Sequence, residues 1–237
     1  MDGAMIRLMG LGILVSKTLV IGDLHIGYEE AMNKQGVLVP RVHFAMLRRA
    51  LEELIEKTTP DTVIIAGDIK HEFGAVSEQE WRETLKIIDL ITAKAKLILV
   101  KGNHDTILGP IAGKRIVEIK EHYLIKSVYI CHGDKIPRDD DFKKAKTVII
   151  GHEHPAITLR DGIKQETYKC FLKAEYGGKK LFVLPSFNFV SEGADITKKE
   201  FLSPFLKNAS AIVPVVVHEG KEYSFGNSLK TEQSINF

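Results

Sequence analysis

The strongest constraint in this sequence is a rhythm of short aliphatic runs that stop at polar residues. Leu19-Val20-Ile21, Thr62-Val63-Ile64-Ile65, Leu97-Ile98-Leu99-Val100 and Thr147-Val148-Ile149-Ile150 are short and rich in β-branched side chains. They read as buried strands. Val128-Tyr129-Ile130 has the same character. Each run gives way, within three residues, to Asp, Asn or His: at Asp23-Leu24-His25, Asp68, Asn103-His104-Asp105, His132 and His152-Glu153-His154. The carboxyl ends of strands are where α/β sheets build their sites. One such turn alone reads as a strand end with a capping side chain. Five in order read as one convergent site.

The segments between the runs set the topology. Ile26 to Gln35 reads as a short helix ended by Gly36. A second helix opens at Pro40, with Leu47, Ala50, Leu51 and Leu54 at helical spacing, and stops before Pro60-Asp61. Ser77 is an N-cap with Glu80 in capping-box position, and Trp81, Leu85, Ile88 and Ile91 form the apolar stripe that follows. Strand, helix, strand, helix, strand implies parallel pairing with right-handed crossovers. Beyond this the pattern changes. Residues 115–119, Tyr123-Leu124-Ile125 and Val128-Tyr129-Ile130 are expected as antiparallel strands, and 139–146 as a short helix capped by its aspartates. Further strands are expected at Ile157-Thr158-Leu159, at 168–172 as one strand, and at 181–184, with turns at Arg160-Asp161-Gly162 and Gly177-Gly178. The tail from Ser228 to Phe237 is expected to be loosely held.

Composition narrows the function classes. The 237 residues are 44% hydrophobic and 27% charged, so a single domain over 1–237 can bury a core that needs no staples. A net charge of +2 argues against avid, non-specific DNA binding. Cys131 and Cys170 have no zinc spacing and form no disulfide framework, which fits a reduced, cytoplasmic setting and buried thiols. The apolar run Leu8–Val15 is too short for a membrane span. It reads as the start of a hairpin through Ser16-Lys17-Thr18 rather than a cleaved leader, and no membrane partner is expected.

Asp23, His25, Asp68, Asn103, His132, His152 and His154 are seven oxygen and nitrogen donors. That is more than one ion takes from protein, and it suits two divalent ions sharing a carboxylate. The mixed donor set fits Mn²⁺ best, with Fe, Zn²⁺ or Ni²⁺ as alternatives, and Mg²⁺ less well. Cys131 is not expected as a ligand.

On these residues the sequence resembles the calcineurin-like metallophosphoesterases, whose blocks D-x-H, G-D, G-N-H-D, a lone His and G-H-x-H occur here in order across residues 22–154. Cys131 stands where Gly more often precedes the lone His. The resemblance implies a four-layer α-β-β-α sandwich of two mixed sheets. It also implies one metal on Asp23, His25, Asp68 and His154, and a second on Asp68, Asn103, His132 and His152, with Asp68 bridging. Within the family the chain looks most like small archaeal phosphoesterases related to SbcD-type nucleases. Gly67-Asp68-Ile69-Lys70-His71 echoes G-D-x-F-H, with Lys70 in place of Phe, so His71 is a candidate contact to the scissile phosphodiester. Only 83 residues follow His154, too few for the nucleases' DNA-capping domain and partner-binding region.

The chemistry expected is hydrolysis of a phosphodiester, or of a phosphomonoester, in nucleic acid ends or nucleotides. Paired metals make water a nucleophile near neutral pH and stabilise charge at phosphorus. His104 is the candidate acid for the leaving group, with Asp105 holding its other ring nitrogen. Arg41 and Asn188 are further substrate candidates. A surface position explains Arg41 as well, and a polar strand-end turn explains Asn188 as well. The competing reading is a silent scaffold of the same fold that binds a protein partner. The complete ligand set and the retained His104-Asp105 pair favour the enzyme. Homo-oligomerisation is left open.

Overall fold

The structure, a computed structural model, describes residues 4–39, 42–72, 77–105, 113, 115 and 117–226. Pro40 and Arg41, residues 73–76 and the tail from 227 lie outside the described residues, and with them the expectations placed on Arg41 and on the C-terminal tail.

Two mixed sheets form the centre. The first has the order β1 (Ile6–Met9), β2 (Gly12–Val15), β3 (Thr18–Ile21), β4 (Thr62–Ala66), β5 (Lys96–Val100) and β6 (Glu118–Lys120). β1 to β3 pair antiparallel, and β3 to β6 pair parallel. The expected hairpin through Ser16-Lys17-Thr18 is β2 and β3, and β1 is added before it where Gly10 turns the chain with φ 56. Helix α1 (Tyr28–Lys34) and the amphipathic helices α2 (His43–Thr58) and α3 (Glu78–Thr92) complete the crossovers.

The second sheet places β7 (Tyr123–Ile125), β8 (Val128–Cys131) and β9 (Thr147–Ile150) at one side, followed by β13 (Lys179–Val183), β12 (Phe171–Tyr176), β15 (Ser210–His218) and β16 (Lys221–Ser224). β8, β9 and β13 run parallel. A small third sheet joins β10 (Pro155–Asp161) to β11 (Lys164–Lys169) and to β14 (Ala194–Asp195).

Alternation along each strand distributes its side chains between layers. Ile13, Val20, Ile64 and Ile98 point between the sheets, where they meet Val128, Ile130, Ile149, Phe171, Leu184 and Val215. Their neighbours Leu19, Ile21, Val63, Ile65, Leu97 and Leu99 point outward onto Leu47, Leu51, Ile55, Ile87, Ile88 and Ile91 of α2 and α3. Burial on both faces is why these strands are continuously apolar. Each such side chain contributes about 1.5–3 kcal/mol of burial. On the far side, Tyr129, Val148, Leu172 and Val183 pack on Phe142, Ile196, Phe205 and Leu206. That fourth layer is thin, made from the five-residue helix Asp140–Lys144, the four-residue helix Pro204–Lys207 and the third sheet. Asp139 caps the first of these, accepting from Phe142 N at 2.8 Å.

Three local expectations are corrected. Glu118–Lys120 pairs parallel with β5 and not antiparallel with Tyr123–Ile125, because the chain leaves one sheet and enters the other between them. The expected strand over 168–172 is broken at Cys170, whose N–H donates to Pro155 O (3.0 Å) as the chain changes sheets. The Ser77 hydroxyl does accept from Glu80 N (3.1 Å), but the Glu80 carboxylate turns away from the cap, toward His71. Among the described residues no helix is long and apolar enough to cross a membrane.

Candidate metal centre

β3, β4 and β5 of the first sheet and β8 and β9 of the second end at one edge, and the turns leaving them face each other. Four of the turn residues, His25, Asp68, His152 and His154, hold positive φ (45, 47, 65 and 50°). Each non-glycine residue in that region costs on the order of 1–3 kcal/mol, and such strain gathers at functional sites. Glycines make room for the side chains. A Cβ on Gly102 would run into the carboxylate and main chain of Asp68, one on Gly67 into the His132 ring, and one on Gly151 into Asp23 Oδ2.

All seven sequence-predicted donors come together. Asp23, His25 and His154 each offer one atom to a group whose members lie within 4.8 Å of one another. Asp68, His132 and His152 form a second such group. In the first, His154 Nε2 lies 3.3 Å from Asp23 Oδ1 and 3.3 Å from His25 Nε2. In the second, His132 Nε2 lies 3.2 Å from Asp68 Oδ2, 3.2 Å from His152 Nδ1 and 2.8 Å from Asn103 Oδ1. Asp68 stands between them, with the same Oδ2 4.0 Å from His25 Nε2.

The main chain fixes several of these donors. His152 N donates to both oxygens of Asp23 (3.2 and 3.1 Å), and His104 N donates to Asp68 Oδ1 (2.9 Å). His132 Nδ1 donates to Ala66 O (3.1 Å), which turns Nε2 toward the other donors, where it offers a lone pair once deprotonated.

Electrostatics at the centre are those of a cation site. Burial alone would raise Asp23 and Asp68. The neighbouring His154 and His132 imidazoles overcome it and hold both carboxyls below the usual range. Burial pushes His25 down to about 3 and also lowers His152, which His132 lowers further, so both rings are neutral and able to donate lone pairs. His132 goes the other way. Burial opposes its charge, but Asp68 and Asp23 raise it to about 9. His25 Nε2 and His154 Nε2 (3.3 Å), and His132 Nε2 and His152 Nδ1 (3.2 Å), converge beside two carboxylates, a donor grouping that divalent cations could occupy once His132 gives up its proton. His25 Nδ1, His71 Nδ1 and Asp105 Oδ1 are buried without a partner around the same centre. The donor set and its cradle fit divalent metal.

Around the donors the structure sorts the other candidates. His71 and His104 stack at 5.7 Å between ring centroids, and both rings lie edge-on to His25. His104 Nε2 is 3.9 Å from Asp68 Oδ2. The expected Asp105–His104 pairing is corrected. His104 Nδ1 bonds to the carbonyl of His71, while Asp105 turns inward and accepts from Gly102 N (3.0 Å). Burial raises the Asp105 carboxyl to about 6. The turn is too tight for residue 105 to reach back to its neighbour's ring.

Asn188 is also corrected as a substrate candidate. It is buried, its Oδ1 accepts from Val190 N and Ser191 N, and its amide reaches Leu24 O and His43 Nε2 (both 3.3 Å). It braces the turn that carries Asp23 and His25. Cys131 packs into the outer core, and burial pushes its thiol up.

Sequence reasoning missed Glu153, Lys169 and the role of Glu80. Glu153, between two of the donors, accepts from Leu202 N and Ser203 N. Lys169 Nζ lies 2.6 Å from Ser186 Oγ, and burial holds it at about 8 although Asp23 and Glu192 favour its charge. No motif marked these residues. The capping position of Glu80 was the one available signal.

The model of the family described as calcineurin-like phosphoesterase matches residues 16–228. No curated protein matches the chain. Among solved structures, a nuclease named MPE from Pseudomonas putida superposes with a TM-score of 0.65 at 19% identity, covering 94% of this chain and 96% of that one. That similarity concerns the fold. A predicted phosphoesterase from Streptococcus pneumoniae aligns with a TM-score of 0.34 at 14% identity, over 88% of this chain and 95% of that one. An Aquifex aeolicus protein of unknown function aligns with a TM-score of 0.39 at 20% identity, over 58% and 78%.

Proposed function

The chain belongs to the calcineurin-like phosphoesterase family and is a phosphoester hydrolase; from that premise we propose that it cleaves phosphodiesters of nucleotides or nucleic acid ends with two divalent ions. The family uses divalent metal, and this chain's clusters could hold it. Asp23, His25, Asp68 and His154 would hold one ion, and Asp68, Asn103, His132 and His152 the other. The observation that carries the reading is the pair of facing donor clusters with Asp68 Oδ2 between them. Bound there, two divalent cations supply a nucleophile from water near neutral pH and neutralise charge on the phosphoryl oxygens. A set of four imidazoles and three oxygen-donor side chains favours Mn²⁺ over Mg²⁺.

The chain's own residues supply the rest. His104 Nδ1 is engaged by the His71 carbonyl, and Nε2, 3.9 Å from Asp68 Oδ2, is the atom assigned to give a proton to the departing alkoxide. The His71 ring stands beside it, edge-on to Tyr28 at 4.8 Å, where a non-bridging phosphate oxygen would meet both histidines. The nuclease with the similar fold is consistent with a nucleic acid substrate.

Manganese-loaded protein should hydrolyse bis-p-nitrophenyl phosphate, carry about two ions per chain, and lose both with a chelator. Full activity with one ion or none would sink the two-metal reading.

Metal affinity should rise with pH. His132 is protonated up to about 9 in the metal-free chain and must lose that proton to donate Nε2. Each pH unit below that value therefore weakens binding by up to about tenfold. Calorimetry at pH 7 and 8, in buffers of different ionisation enthalpy, should show tighter binding at pH 8 and release of about one proton. Binding with no proton release would contradict this account of His132.

A further inference from the structure

We propose that Glu80 is a positioning residue for catalysis, setting the His104 ring through the main chain of His71 and Glu72. The proposal rests on His104 acting as the proton donor. Glu80 lies in the first turn of α3 and is wholly buried, although it is a carboxylate. Neither of the bonds its Oε1 makes returns to the helix. That oxygen accepts from His71 N (2.8 Å) and from Glu72 N (3.1 Å). A charged acceptor taking two N–H groups is among the stronger and more directional hydrogen-bond arrangements.

The same short segment is held from its other side, because the Lys70 ammonium donates to Glu72 O. The His71 carbonyl, in the middle of this clamped stretch, is the group that engages His104 Nδ1. Glu80, the His71 peptide and the His104 ring thus form one continuous line. It replaces the Asp105 contact that the sequence suggested.

Glu80 is itself fixed. Ser77 Oγ accepts its N–H, and Gly27 packs so closely that a Cβ there would lie 3.1 Å from the Glu80 side chain. Gly27 has φ 91 and follows His25 by two residues, so the same carboxylate is wedged between the turn carrying a donor histidine and the loop carrying His71. A reacting group held by a buried carboxylate on a long helix is held more rigidly than loop residues hold each other.

The test compares wild type, Glu80→Gln, Glu80→Ala and His104→Ala, all metal-loaded, on phosphodiesters with good (p-nitrophenyl) and poor (phenyl or alkyl) leaving groups. A misplaced proton donor harms poor leaving groups most. Glu80→Ala is expected to lower kcat by about 10- to 100-fold on the poor leaving group, with much less effect on the good one and no change in KM or metal content. Glu80→Gln keeps an oxygen for both N–H groups, so it should show a smaller loss of the same kind. In the zinc-loaded protein, the His104 Nδ1–H resonance should be protected from exchange in wild type and exposed in Glu80→Ala.

A loss equal across leaving groups, or one that tracks metal content or unfolding, would overturn the proposal. If Glu80→Ala does not fold, Glu80→Gln decides, and wild-type kcat on every ester would overturn it. A His104→Ala enzyme without leaving-group dependence would remove the proton-donor reading, and this proposal with it. Dependence in His104→Ala but not in either Glu80 variant would remove the Glu80 assignment alone.

Discussion

Asp68→Asn is expected to cut turnover by on the order of 10²–10⁴-fold and to lower metal content below two ions per chain. Asn keeps the size of the side chain and an oxygen to accept from His104 N, which Asp68 Oδ1 engages at 2.9 Å. The turn is therefore preserved, and what is lost is one negative charge between the two donor clusters. Loss of one well-placed group at a metal site costs about 10–100-fold in affinity, and on the proposed assignment this residue would serve both ions, so the penalties would multiply. The substitution has a second signature. Asp68 is a main reason that His132 is held up at about 9, so in Asp68→Asn the pH dependence of metal binding should flatten. Metal analysis, steady-state rates and calorimetry at two pH values check this. An Asp68→Asn protein that binds two ions as tightly as wild type and turns over at a similar rate would refute the bridging role.

His104→Ala is expected to separate chemistry from metal binding. The hydrogen bond that anchors Asp68 here comes from the main-chain N–H of residue 104, which alanine retains, while the ring's Nε2 stands 3.9 Å from Asp68 Oδ2. Metal content should stay at the wild-type level. Loss of a positioned proton donor costs about 10²–10⁴-fold in kcat. The loss should be greatest for poor leaving groups, because a good one departs without help. Parallel loss of metal and rate would make His104 a ligand. One ring nitrogen from each of His25, His71 and His104 also lies within 4.8 Å of the others, which is the grouping such a ligand role would use.

How much of this was legible in the sequence follows from the range of each interaction. The strands that deliver the donors could be read because each is buried on both faces, so local composition alone separates Val63–Ile65 or Val148–Ile150 from a half-exposed strand. The candidate donors could be read because Asp, Asn and His at strand ends are a chemical pattern that needs no coordinates. The partners of those donors could not. Asp105 follows His104 in the chain and looks like its support, yet the tight turn sends its carboxylate to Gly102 N. Asn188 follows a strand like the other site residues, yet its side chain is used up beneath Leu24. The break at Cys170 depends on a hydrogen bond to Pro155, fifteen positions earlier, and nothing in the local pattern of alternation announces it.

By itself, the sequence determined the α/β character, the strand ends and which candidate donors stand at them. Each follows from local hydrophobic periodicity or from side-chain chemistry. Tertiary structure alone decided how the donors pair across the cleft, that the His71 carbonyl orients His104, and that a buried carboxylate from α3 holds that carbonyl's peptide. Those contacts join elements whose loops can close in many ways, and the choice among them is made by packing between distant layers rather than by any local preference.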